Sequence, residues 1–121
     1  MTTAATVAVV LVALLHLYFL VLEMFLWDKP TGRRTFGLTP EFATASKGLA
    51  ANQGLYNGFL AAGLLWGVSR SAADTAGHAI EVFFLGCVVV AGVFGAVTAN
   101  RRILWVQAFP AAVALALVLL S

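Results

Sequence analysis

The chain has 121 residues, 62% of them hydrophobic and 10% charged, with a formal net charge of +2. A water-soluble domain carries roughly 25% charged residues, so this chain has too few charges to cover a soluble globule, and its mean hydropathy of +0.99 calls for lipid. That excludes a nucleic-acid enzyme, a nucleotide-binding domain and a secreted disulfide scaffold, since a lone cysteine, Cys87, closes no internal bridge.

The first apolar run extends from Ala4 to Trp27. It is too long for a signal-peptide core and lacks a small-residue cleavage site. As a helix it covers about 30 Å of hydrocarbon, with Trp27 at the headgroup layer. Residues 28–39, DKPTGRRTFGLT, read as a polar loop in which Pro30, Gly32 and Gly37 break any helix. Thr39-Pro40-Glu41 then reads as a helix start: a capping hydroxyl, a proline in the first turn and an acid at the positive end of the dipole. The second helix runs to about Val68, its first two turns interfacial. Ser71 and Asp74 resemble a capping box that starts the third helix near Ala72, and the competing start lies after Gly77. The third span covers Ile80 to Ala99. Asn100 reads as a left-handed C-cap before the turn at Arg101 and Arg102. The fourth span, Ile103 to Leu120, contains Pro110, which denies a hydrogen bond to the carbonyl of Val106 and predicts a kink.

The fold class predicted is all-α: an integral membrane four-helix bundle, one transmembrane domain over residues 1–121 with spans at about 4–27, 40–68, 72–99 and 103–120. The first and third turns hold Lys29, Arg33, Arg34, Arg101 and Arg102 with Lys47 nearby, against Arg70 alone on the other side, six cations to one. By the positive-inside rule those turns are cytoplasmic and both termini periplasmic.

Polar residues inside apolar helices carry the functional question, because each is costly in lipid without a partner. His16 and Glu23 are seven residues apart and lie within about 20° on one helix face. The second span brings Lys47, Asn52, Gln53 and Asn57, and the fourth brings Gln107 beside the carbonyl freed by Pro110. These seven residues form the expected polar pocket, running from midplane toward the cytoplasm, and a common cavity is expected for His16, Glu23, Gln53 and Asn57 with Gln107 contributing. Each has a plainer reading. Glu23 with Lys47 makes an ion pair that locks two helices. The amides are interhelical glue. His16 donates to a neighbour. His78 and Glu81 form a solvated outer rim, and Cys87 is a small packing residue. Gly54-x-x-x-Gly58, Gly63-x-x-x-Gly67 and the stripe Cys87, Ala91, Gly95 mark tight packing. No metal-ligand spacing, phosphate loop or serine elbow is present in the sequence.

The segments LLHLYFLVLEMFLW (14–27), FGLTPEFA (36–43), KGLAANQGLYNGFLAAGLLWG (47–67), FFLGCVVVAGVFGAVT (83–98) and VQAFPA (106–111) resemble a bacterial family of small four-span membrane proteins, domain of unknown function 1304. The resemblance implies a multi-pass protein of the bacterial inner membrane and supplies no reaction, substrate or cofactor. Three functions stay open: a pocket that binds or processes a small lipophilic molecule, ranked first; a proton-coupled transporter resembling the small multidrug exporters; and a structural or accessory membrane subunit. The expected partners are membrane lipid, a small lipophilic ligand and a second copy in a homodimer, with no nucleic acid.

Overall fold

The computed structural model describes residues 2–71 and 73–121 and is all-α: among these residues there is no strand. Helix α1 is Thr3–Met24, α2 is Pro30–Phe36, α3 is Pro40–Ser71, α4 is Ala76–Thr98, and a π-helical turn over Leu104–Ala108 leads into α5, Phe109–Leu120. Helices α1 and α4 are long and apolar enough to cross a membrane. Packing divides the chain into two units. One is Leu14–Phe59. The other is Leu60–Ser121 together with the N-terminal turns of α1 up to Ala13.

In the unit Leu14–Phe59, the segment expected as a loop contains α2. The expectation failed because proline and glycine punctuate this helix instead of breaking it. Pro30 occupies the first turn, where its missing N–H costs nothing. Gly37 ends the helix in the left-handed region at φ 67°, and its N–H bonds to Arg33 O. Gly32 is buried because a Cβ there would lie 1.9 Å from Leu26 O, so α2 seats directly on the turn after α1. Helix α3 starts as the sequence predicts: Thr39 Oγ1 accepts the Phe42 N–H at 3.2 Å, with Pro40 and Glu41 between them. Trp27 lies in the turn after α1, where its ring meets Phe36 at 4.9 Å. Its indole N–H donates to Ser46 Oγ at 2.9 Å.

In the other unit, α3 ends at Ser71, whose hydroxyl donates back to Val68 O. Ser71 therefore closes a helix and is not the cap of the next one. Asp74 takes that work, accepting the Ala76 N–H at 2.9 Å. Of the two expected starts for the third helix, Ala72 lies outside the described residues, and α4 begins at Ala76, just before Gly77. Asn100 is not left-handed, since among the described residues only a glycine has positive φ. Its side chain instead accepts the Arg102 N–H at 2.9 Å, an Asx turn that needs no αL backbone. The disturbance expected from Pro110 appears as the π turn: the Phe109 N–H reaches back to Leu104 O, and Pro110 falls in the first turn of α5. Gly92 lets α4 meet this turn at close range, for a Cβ there would lie 2.6 Å from Ala108 N. Ala111, Ala114 and Val118 continue the buried row along α5.

Candidate functional site

The polar site in the unit Leu14–Phe59 is built by two glycines. Added Cβ atoms at Gly54 and Gly58 would lie 2.6 Å from Met24 Cγ and 2.8 Å from Leu20 Cδ1. Without side chains there, α3 closes on the last turns of α1. That approach brings Asn57, 5% exposed, against Glu23, and Asn57 Nδ2 donates to Glu23 Oε1. Glu23 stays partly exposed, and its carboxyl is anchored by the amide. His16, two turns earlier on α1, is fully buried, its ring edge-on to Phe19 at 5.4 Å.

The expected Glu23–Lys47 pair does not form. Lys47 Nζ meets Asp28 Oδ2 at 3.1 Å. The reason is register. Asn57 is level with Glu23, and Lys47 lies ten residues earlier on α3, about 15 Å along the axis, at the height of the turn beyond α1. The Lys47 ammonium, hydrogen-bonded to Asp28, holds the Asp28 carboxyl below its ordinary value. At the far end of α3 the Arg70 guanidinium does the same to Asp74, at 2.7 Å.

Of the seven expected pocket residues, the structure brings Glu23 and Asn57 together. Asn52 and Gln53 are exposed on α3, and Lys47 is exposed at its ion pair. Gln107 is half-buried in the π turn and belongs to the other unit.

The residue that sequence reasoning misplaced is Glu81. It was expected on a solvated rim with His78. His78 is exposed, but Glu81 has no exposed surface, and neither carboxyl oxygen has a hydrogen-bond partner. Two glycines bury it. A Cβ on Gly67 would lie 2.7 Å from Glu81 Cγ, and one on Gly77 would lie 2.1 Å from Ser71 N. The last turn of α3 and the first of α4 thus close over Glu81. The signal was present in the sequence, because Gly77, Glu81, Leu85, Val88 and Gly92 form one helical stripe and all are buried.

An all-α chain with two membrane-length apolar helices, and with carboxyl, amide and imidazole groups drawn into their packing, is the class that fold and site define. The chain belongs to the family described as protein of unknown function DUF1304, which it matches over residues 10–119. It is 31% identical over 109 residues to uncharacterized protein YpaA of Lactococcus lactis subsp. lactis strain IL1403, covering 88% of this chain and 89% of that one. No solved structure matches it.

Proposed function

We propose that this is a four-span protein of the bacterial inner membrane whose Glu23–Asn57 site binds a small lipophilic molecule carrying a hydrogen-bonding head. The membrane reading draws support from large apolar side chains on the exterior: Leu49, Val97 and Leu120 are 78%, 82% and 85% exposed. Burying such surface in lipid is what makes it affordable. In this reading α3 and the segment from the π turn through α5 supply the second and fourth spans. The six-to-one excess of Lys and Arg on the first and third turns sets both termini in the periplasm.

The observation that carries the binding reading is a partly exposed glutamate whose carboxyl is held by a buried amide where α3 closes on α1. The amide fixes the carboxyl's orientation. Tyr56 and Phe59 are half exposed on the same stretch of α3. An apolar site with a few fixed polar groups is the usual form of a small-molecule pocket. The same hydrogen bond fits a second reading, an interhelical lock in an accessory subunit. Native mass spectrometry of protein purified in mild detergent separates them. A binding site retains a non-lipid molecule that is lost in Asn57→Leu and Glu23→Met while both variants keep their helical signal. Spectra holding only lipid and detergent adducts, the same in wild type and variants, overturn the binding reading in favour of the lock.

A further inference from the structure

We propose that α2 and the turn before it form a binding surface for the phosphate headgroups of anionic phospholipid. The charges come first. Asp28 Oδ2 is taken by Lys47, which neutralises that cation. Among the described residues Lys29, Arg33 and Arg34 are then left without an ion pair. Arg33 is half-buried, and its Nε is buried with no acceptor inside the protein. A guanidinium N–H withdrawn from water without an acceptor is costly, and the planar fork of arginine fits a phosphate with two parallel bonds.

The platform is rigid. Gly32 seats α2 on Leu26 O, and the Gly37 cap fixes where the helix stops. The cations are therefore presented by a helix and not by a loose loop, which lowers the ordering cost of binding. Arg33 and Arg34 also lie in the last turn of α2, where its carbonyl ends favour positive charge.

The neighbours select a lipid over a free anion. Trp27 and Phe36, which flank the cations in sequence, meet ring to ring, and Phe25 and Phe42 are 63% and 54% exposed. Aromatic rings and cations at the end of a long apolar helix are the composition of the headgroup layer. This choice rests on reading α1 as a membrane span.

The test uses the full chain purified in detergent. Retention of phosphatidylglycerol and phosphatidylcholine, supplied in equal amounts, is read by native mass spectrometry. Each surface cation is worth about fivefold in binding to an anionic interface. Wild type is expected to prefer phosphatidylglycerol, and Arg33→Gln with Arg34→Gln to lose at least about fivefold of that preference. Arg34→Gln alone changes an exposed side chain, keeps the fold and should show part of the loss. Raising salt from about 0.05 to about 0.5 M should erode the preference in wild type. Equal retention of the two lipids overturns the proposal. So does an equal loss in Arg101→Gln with Arg102→Gln, which would make the effect one of general surface charge. Protection by inorganic phosphate as strong as that by phosphatidylglycerol overturns the choice of a lipid. Alkaline carbonate extraction tests the underlying span separately: both the protein and its Arg33/Arg34 variant should stay with the membrane, and release of the wild type would fail the span itself.

Discussion

Coupling between Glu23 and Asn57 should be measurable, and coupling between Glu23 and Lys47 should be absent. The perturbations are Glu23→Met, Asn57→Leu and Lys47→Met, singly and in pairs, chosen to keep side-chain length while removing hydrogen bonding. Asn57 is 5% exposed and donates directly to Glu23 Oε1. Interhelical hydrogen bonds of this kind in membrane proteins average about 0.6 kcal/mol and reach about 1.7. A bond between well-packed helices, with Gly54 holding the backbones together, belongs in the upper half of that range. The pair coupling should therefore be about 1–1.7 kcal/mol. Lys47 meets Asp28, at a different height on α3, so the Glu23 and Lys47 losses should add to within about 0.3–0.5 kcal/mol. The assay is unfolding by sodium dodecyl sulfate in mixed micelles, followed through the fluorescence of Trp27, Trp66 and Trp105. Additive losses for Glu23 and Asn57, or a Glu23–Lys47 coupling of the same size, would refute the register on which the candidate site rests.

Three further outcomes follow from other contacts. Lys47 lowers the Asp28 pKa in the folded state, so the stabilisation is complete above the ordinary carboxylate value of 3.8 and is lost as pH falls through the lower folded value; below about pH 4 wild type should lose more melting temperature than Asp28→Asn, and parallel curves would dismiss the pair. Gly92→Ala sets a Cβ 2.6–2.8 Å from three atoms of Ala108, two of them backbone, and should cost about 1–3 kcal/mol. Gly86→Ala, with nothing within 4 Å, should be neutral or gain about 0.5–1 kcal/mol, and equal effects at the two sites would count against the close approach of α4 to the π turn. A reporter that works only after export, fused to the carboxyl end, should be active, and a cytoplasmic signal would reverse the topology.

What the sequence yields here depends on how local the determinant is. The α3 start was legible because its cap, proline and acid are consecutive residues acting within one turn. Helix α2 was not, because the glycine that makes it possible does so through a contact with Leu26 O that exists only after the chain turns back. The Glu23–Asn57 bond was half legible. Both residues stood out as polar groups in apolar helices, and Gly54 and Gly58 announced close packing. Their pairing depends on the axial register between helices, which periodicity on one helix cannot supply. For that reason Lys47, a more attractive partner by charge, was matched to the wrong acid. Glu81 shows the opposite error. Its helical phase placed it on a buried stripe, but its position near a helix start suggested water, and phase was the better guide.

The π turn before α5 has a consequence for how this chain tolerates change. Ile103 faces Gly95, and Ala108 faces Gly92, both on α4. In a regular α-helix two residues five apart point about 140° away from each other. Closing the hydrogen bond over five residues brings them back to one side. The turn thus works as a one-residue spacer that resets the helical phase for everything after it. Gain of a single residue between Ile103 and Ala108 would rotate Ala111, Ala114 and Val118 by about 100° away from α4, although no side chain in that row had changed, whereas loss of one lets the turn close as regular α-helix with the row kept in phase. An insertion in this segment would therefore be felt along the whole buried row of α5.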